Sequence, residues 1–412
     1  MPARIVLGVG AGIAAYKACE LLRRLTEDGH QVRVVPTRDS LRFVGTATWA
    51  ALSGQPAAVS VFHDVHEVPH VRLGQEADLV FAAPATADLL ARAASGQADD
   101  LLTSVLLTAR CPVVFAPAMH TEMWEHPATV ANVRTLRERG CLVLEPASGR
   151  LTGADTGPGR LPEPIELYRV AVRVLARGIA GLAPDLVGRR VVVSAGGTRE
   201  ELDPVRFLGN WSSGRQGYAL ARTAAARGAE VTLVSANVDL DDPAGTKVER
   251  VISAGRLQSA MLAAAAGADA VVMAAAVADY RPEARSQEKI KKTGAGPEPL
   301  RLAENPDILR ELAGQRRPGQ VIAGFAAETD DILANGRAKL AAKGCDLLVV
   351  NRVGRGLAFG TDDNEAVVLA ADGSATPVPR GPKEVLADVV WDLVAARLAG
   401  SAGQSAGQSA GR

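Results

Sequence analysis

The chain has 412 residues, 47% hydrophobic and 22% charged, a length that predicts two or three domains, each able to bury its own core. Lys+Arg and Asp+Glu balance at 46 each, which excludes a net field for nucleic acid or membrane, and no apolar run is long enough to cross a bilayer. Cys19, Cys111, Cys141 and Cys345 share no CxxC spacing and no signal-peptide core opens the chain, which argues against a zinc site or disulfide framework and for a cytoplasmic protein.

Short apolar runs then alternate with helical patterns. The reading is strand over 4–9, helix over 12–28, strands over 31–36 and 78–83, helix over 86–94 and strand over 112–116. A helix over 128–140 and a strand over 142–144 follow. Residues 146–164 crowd glycine, proline and charge without periodicity and read as a loop or flap, a common place for function. A helix over 165–177 closes a first domain, 1–177, and 178–188 reads as a linker. The second domain, 189–400, repeats the alternation. Strands are expected over 190–195, 230–235, 269–275, 320–326 and 346–351, and helices over 214–227, 256–265, 306–313, 331–343 and 383–399. The Ser-Ala-Gly-Gln repeat of 401–412 is expected to be a disordered tail. Both domains are therefore α/β and Rossmann-like, with a parallel sheet covered on both faces. All six histidines lie before residue 127, so imidazole chemistry belongs to the first domain.

Three segments of the first domain follow strands, where open α/β sheets bind ligands. Gly10, Gly12, Ile13 and Ala14 join a strand to a helix as Gly10-x-Gly12-x-x-Ala15. That fits a permissive dinucleotide fingerprint and equally a tight turn with close helix–strand packing. Thr37 follows the second strand and suits a phosphate. Arg38 suits a 2′-phosphate, which leaves NADP open. Pro84, Ala85 and Thr86 offer small residues to a flat ring, and Met119 and His120 follow a further strand.

In order, Gly12-Ile13-Ala14-Ala15-Tyr16-Lys17, His70, Ala83-Pro84-Ala85-Thr86-Ala87 and Pro117-Ala118-Met119 followed by Met123-Trp124 resemble the homo-oligomeric flavin-containing cysteine decarboxylases. The resemblance implies a flavodoxin-like domain holding FMN and a catalytic role for His70. The reaction it implies is flavin oxidation of a substrate cysteine with loss of its carboxylate, for which the cofactor is the electron sink. The chain departs from the pattern twice. His120 stands where the family usually has asparagine, and it can still donate a hydrogen bond to the substrate carboxylate. Gly153 stands where the family's coenzyme A enzymes carry a proton-returning cysteine. This leaves His120, Asp155 or water as the donor, or arrest at the oxidised enethiol.

In the second domain, Ser194, Gly196, Gly197 and Thr198 end a strand in a small loop of the kind that cradles phosphate. Arg206, Asn210, Ser212, Ser213 and Gly214 precede a helix, Ala275 and Asp279 leave another strand, and Lys289 opens a lysine cluster with Lys291 and Lys292. Pro306, Asp307, Ile308 and Leu309 start a helix, Phe325 ends a strand, and Lys339 and Lys343 share a helix face. Together these resemble phosphopantothenate–cysteine ligase through its Asn-x-Ser-Ser-Gly, Ala-Ala-Val-Ala-Asp-Tyr, Lys-x-Lys-Lys and Gly-Phe-Ala-Ala-Glu-Thr elements.

That resemblance implies CTP as co-substrate and magnesium (Mg2+) or another divalent cation, with Asp279 as a candidate ligand. It implies an acyl cytidylate from phosphopantothenate that cysteine then attacks. Asn210 and Lys289 would meet the reacting acyl phosphate. Asp279, Lys289, the start of the 306–313 helix, Phe325, Lys339 and Lys343 would hold CTP. The order of the two resemblances is that of bifunctional coenzyme A enzymes, whose trimeric decarboxylase units are joined by ligase dimers. An NADP-linked oxidoreductase with a regulatory domain, and a ligase carrying a silent flavin-binding domain, are the alternatives.

Overall fold

The computed structural model describes residues 2–60, 68–150, 156–291, 299–328, 331–352 and 363–409. The chain divides into two compact units, Met1–Ala183 and Pro184–Arg412. Gly153, Asp155 and Lys292 of the sequence reading lie outside the described residues.

The first unit runs β1 (Arg4–Val9), α1 (Ala15–Glu27), β2 (Gln31–Pro36), α2 (Thr46–Ser53), α3 (Pro69–Glu76), β3 (Leu79–Ala85), α4 (Ala87–Ser95) and α5 (Leu101–Thr108). It continues β4 (Val113–Pro117), α6 (Thr121–Trp124), α7 (Pro127–Glu138), β5 (Leu142–Val143), β6 (Ala147–Arg150), β7 (Thr156–Arg160) and α8 (Pro164–Arg177). β1 to β5 form a parallel sheet in the order β2-β1-β3-β4-β5, the flavodoxin-like order. Ile5, Leu7 and Val9 enter one core cluster while Val6 enters the other. Burial on both faces is why the strands are apolar throughout rather than alternating. α5 was not expected because its sequence, Leu-Leu-Thr-Ser-Val-Leu-Leu-Thr, is apolar nearly all round and carries no helical period. The expected flap is an antiparallel hairpin, β6 with β7.

The second unit runs β8 (Arg190–Gly196), β9 (Arg199–Glu201), β10 (Phe207–Gly209), α9 (Arg215–Ala226), β11 (Glu230–Ala236), β12 (Thr246–Val251), α10 (Ala254–Ala265), β13 (Ala270–Met273), β14 (Tyr280–Pro282) and β15 (Leu302–Glu304). α11 (Ile308–Gly314), β16 (Val321–Glu328), α12 (Ile332–Lys343), β17 (Leu347–Arg352), β18 (Asp363–Ala370), β19 (Ala375–Pro382) and α13 (Lys383–Ser409) follow. Its eight-stranded sheet has the order β12-β11-β8-β13-β16-β17-β18-β19. The first six strands are parallel in the dinucleotide-binding order, and β18 and β19 are antiparallel additions. Pro377 and Pro379 are tolerated because β19 is the sheet edge. Trp391 of α13 is fully buried, with its indole N–H donating to the Leu220 carbonyl at 2.9 Å.

Two boundary expectations change. The expected linker is not free chain: Ile179 and Leu182 pack on the first core, while Leu186 is buried in the second. α13 continues to Ser409 instead of ending near 399, since extending a nucleated helix costs far less than starting one.

Candidate functional site

In the first unit the turns after β1, β3 and β4 are tied to one another. The Gly10 N–H donates to the Pro84 carbonyl at 2.9 Å, and a methyl on Gly10 would stand 2.5 Å from that oxygen. Gly10 therefore serves close packing, while Gly12 is open apart from the Thr86 methyl 4.0 Å away. Ile13 is exposed, and Ala14 stands at the start of α1 without a side-chain cap; the Ala15 and Lys17 N–H groups donate to the Gly12 and Ala14 carbonyls at 3.0 Å. Thr86 caps α4 by accepting from the Leu89 N–H, and the Ala85 carbonyl accepts from the Ala118 N–H at 3.0 Å.

Two buried polar atoms at this edge have no protein partner. Thr37 ends β2, its N–H bonded to the Val9 carbonyl at 2.9 Å, and its Oγ1 is buried and unpaired. His70 has a buried, unpaired Nδ1. Val68 takes a left-handed φ of 46°, a strained geometry for a β-branched residue, and turns the chain into α3 just before His70. The His70 carbonyl accepts from Thr108 Oγ1 at 2.7 Å, which anchors α3 on α5. α3 leads into the start of parallel β3, so its own first turn points toward the strands' C-terminal edge. Arg38, the candidate for a 2′-phosphate, is exposed.

The flap is clamped along β7. The Met119 N–H donates to the Gly159 carbonyl at 3.0 Å, and Thr121 Oγ1 donates to the Pro158 carbonyl at 2.8 Å. Lys17, buried on α1, donates to the Leu161 carbonyl at 3.0 Å and to Glu163 at 2.8 Å. Met119 is buried beneath the hairpin's stem. His120 is exposed, and its carbonyl accepts from the Met123 and Trp124 N–H groups to begin α6.

The second unit holds a cavity of about 1200 Å³ where the strand order reverses between β8 and β13. α9 enters it. Gly217 has no room for a methyl, which would lie 2.5 Å from the Ala195 Cβ, so the helix start presses onto the sheet. Gly214, with φ 72°, precedes the helix and donates its N–H to Ser212 Oγ at 3.3 Å; Ser213 lines the same mouth. Asn210 donates its amide to the Val277 carbonyl at 2.9 Å. Asn305 holds the turn at Asp279 by donating its amide to the Ala278 carbonyl and its N–H to the Asp279 carbonyl, both at 2.8 Å. Asp307 caps α11 and pairs with Lys343 at 2.6 Å. Ala275, Asp279, Pro306, Ile308, Leu309, Phe325, Lys339 and Lys343 all line the cavity.

Six expected contacts do not reach it. Ser194 is fully buried and accepts from the Ala274 and Ala275 N–H groups at 3.1 Å, bracing the end of β13. Thr198 is fully buried and accepts from the Ala278 N–H at 3.0 Å. The N–H groups of Gly197 and Thr198 donate to the Ala236 and Ala276 carbonyls, and Gly196 packs against the Ala236 carbonyl. The Gly197 and Thr198 N–H groups expected to meet phosphate are thus spent within the unit, where they act as framework. Arg206 and Lys289 also lie outside the cavity lining. Lys289 is exposed, and the Arg206 guanidinium bonds Asp203 and the Ile290 carbonyl. Burial alone would raise the Asp203 carboxyl. Hydrogen bonds from the Val205 N–H, Arg206 and the Ile290 N–H outweigh it and hold that carboxyl well below the usual carboxylate range.

The sequence reading missed Gln216, Asn351, Asn364 and Lys383 in the cavity wall. Asn364 donates to Gln216 Oε1 at 3.0 Å, Gln216 donates to the Lys383 carbonyl at 3.2 Å, and Lys383 Nζ donates to the Asp363 carbonyl at 2.8 Å. The signal that would have led there is Asp372-Gly373 between two β-rich runs, a hairpin turn that sets β18 and β19 on the sheet. Among the described residues no three His, Cys, Asp or Glu side chains converge as a metal cage.

Residues 1–176 match the family described as Flavoprotein, and residues 186–398 match the DNA/pantothenate metabolism flavoprotein C-terminal domain. The chain is 57% identical over 410 residues to the coenzyme A biosynthesis bifunctional protein CoaBC of Mycobacterium tuberculosis, covering 97% of this chain and 98% of that one. It is 41% identical over 379 residues to the protein of the same name from Bacillus subtilis, covering 91% and 92%. Among solved structures, the C-terminal domain of CoaBC aligns with TM-score 0.45 at 32% identity, covering 52% of this chain and 98% of that one. The FMN-dependent cysteine decarboxylase SpaF aligns with TM-score 0.35 at 32% identity, covering 40% and 97%.

Proposed function

The chain belongs to the bifunctional coenzyme A biosynthesis proteins that combine phosphopantothenoylcysteine decarboxylase and phosphopantothenate–cysteine ligase, and from that premise we propose how its residues divide the work. The ligase unit takes CTP and phosphopantothenate into the cavity beside β8 and β13. The phosphopantothenate carboxylate attacks the α-phosphate, pyrophosphate leaves, and the amine of cysteine then displaces CMP from the acyl cytidylate. The N-terminus of α9 with Ser212 and Ser213 receives phosphate at the cavity mouth. Lys339 and Lys343 supply positive charge from the far wall, and Lys343 is already oriented by Asp307. Asn210, at the cavity wall, and Lys289, which lies outside the lining and reaches in from its loop when substrate binds, meet the reacting acyl phosphate. Charge neutralisation and positioning suffice for such a transfer, which agrees with a unit that has no histidine. Asp279, an exposed carboxylate that lines the cavity together with Glu304 and Asp307, would hold magnesium brought by the triphosphate. One carboxylate plus substrate phosphates and water is an ordinary magnesium shell.

The first unit holds FMN at the edge built by Gly10, Gly12, Ile13, Ala14, Thr37, Pro84, Ala85, Thr86 and Met119. The unpaired Thr37 Oγ1 and the N-terminal end of α1 fit its phosphate. Bound FMN supplies the electron sink for oxidising the thiol-bearing carbon. His70, with its unpaired Nδ1, faces the substrate, and the exposed His120 donates to the substrate carboxylate. The family reading carries with it a homo-oligomer of trimeric decarboxylase units joined by ligase dimers, working in the cytoplasm, and Ile13 and Tyr16 are exposed on the first unit.

The observation that carries the ligase assignment is the cavity itself, which gathers the Asn-x-Ser-Ser-Gly turn, the Asp279 turn and the α12 lysines from across the unit. The test is incubation with phosphopantothenate, cysteine, CTP and magnesium, with products identified by mass. Phosphopantothenoylcysteine and then phosphopantetheine are expected. A product two hydrogens short of the thiol would mean arrest at the enethiol, and normal ligation by Lys289→Gln would refute the role of Lys289.

A further inference from the structure

The segment that carries Lys289 belongs to no helix or sheet. β14 ends at Pro282, β15 resumes at Leu302, and residues 283–291 between them have no regular structure. Side chains therefore decide where Lys289 stands. The Ile290 N–H donates to Asp203 Oδ2 at 3.2 Å, and the Ile290 carbonyl accepts from Arg206 Nη2 at 2.6 Å. That same Arg206 nitrogen lies 2.6 Å from Asp203 Oδ2, with Nε at 2.9 Å, so carboxylate, guanidinium and the Ile290 peptide form one closed clip. The clip is rooted, since Asp203 Oδ1 accepts from the Val205 and Arg206 N–H groups at 2.8 Å and the Asp203 side chain is fully buried. Just before Lys289, the Ser286 N–H donates to the Leu202 carbonyl at 3.0 Å.

We propose that Asp203 and Arg206 are positioning residues of the ligase reaction, gripping Ile290 by both its backbone polar groups and so anchoring the loop from which Lys289 reaches the acyl phosphate. This rests on the reading of Lys289 given above and changes that of Arg206, whose guanidinium works on the protein's own backbone. Charge-assisted bonds of this kind are about twice as strong as neutral ones and suit a loop outside helix and sheet. The low proton affinity of Asp203 keeps the clip charged across the physiological range.

The test is a double-mutant cycle on the full-length flavoprotein, with pyrophosphate release read as the rate of activation. Asp203→Asn should lower kcat by about tenfold or more with the KM for CTP little changed, and should add almost nothing in a Lys289→Gln background. Arg206→Met leaves the Asp203 turn bonds in place and should show the same pattern, which keeps the test valid if Asp203→Asn does not fold. Cleavage by endoproteinase Lys-C after Lys289 or Lys291 should also quicken in both variants, and this does not depend on activity. Equal losses in the parent and Lys289→Gln backgrounds would overturn the clip, as would a fully active Asp203→Asn beside a crippled Lys289→Gln. Normal ligation by Lys289→Gln would instead remove the premise along with the proposal.

Discussion

Replacing Thr37 by valine should move flavin affinity and flavin-free stability in opposite directions. The substitution keeps the branched shape and removes one atom, Oγ1, which is buried and has no protein partner. The side chain makes no cap to the short 3-10 helix that follows, so no local bond is lost. A buried unpaired hydroxyl costs about 1–3 kcal/mol, so the flavin-free protein should gain part of that on losing it. At roughly 2–4 °C per kcal/mol for a unit of this size, its melting temperature should hold or rise by a few degrees. With FMN bound, the hydroxyl meets a charged phosphate, a bond worth about 1.5–3 kcal/mol. Its loss should weaken FMN binding roughly 10- to 150-fold. Titration of flavin-free protein with FMN, followed by flavin fluorescence, measures the affinity, and circular dichroism on the same sample measures melting. FMN binding within about threefold of the parent, or a clear fall in flavin-free melting temperature, would refute the assignment of Thr37 to the phosphate.

Gly10→Ala places a methyl 2.5 Å from the Pro84 carbonyl, on backbone that cannot yield easily. It should cost about 1–3 kcal/mol and reduce flavin content, read as the ratio of absorbance at 450 to 280 nm. Arg227→Ala should destabilise the ligase unit by about 3–5 kcal/mol in thermal unfolding, because Arg227 is buried between Asp185, Asp388 and Asp392 and Asp388 is itself nearly fully buried. Burial raises all four thiols, Cys345 to about 11, so the reactive thiolate is scarce at pH 7.5. Iodoacetamide at that pH should therefore label the native protein slowly and leave decarboxylation intact. Rapid inactivation would refute a thiol-free proton return.

Much was legible in the sequence. Strand–helix alternation, two units and the clustering of motifs after strands follow from local pattern, since a parallel sheet buried on both faces needs continuous apolar runs and presents its turns at one edge. The Asn-x-Ser-Ser-Gly turn, Asp279, Pro306–Leu309 and the Lys339/Lys343 pair reach one cavity because each ends or flanks such an element. Tertiary structure alone decided which polar atoms remain available there. Ser194, Gly197 and Thr198 have the composition of a phosphate loop, yet their donors and acceptors are consumed by chain from β11 and β13. Arg206 looks like an anion ligand and instead holds a peptide eighty-four residues away. Asn364 and Lys383 arrive from the antiparallel edge to meet Gln216, and only the Asp372-Gly373 turn between β18 and β19 hints at that edge. Periodicity and turn chemistry are short-range properties and can be read along the chain. Whether a hydrogen-bonding group is spent or free depends on distant neighbours that only the folded sheet brings within 3 Å.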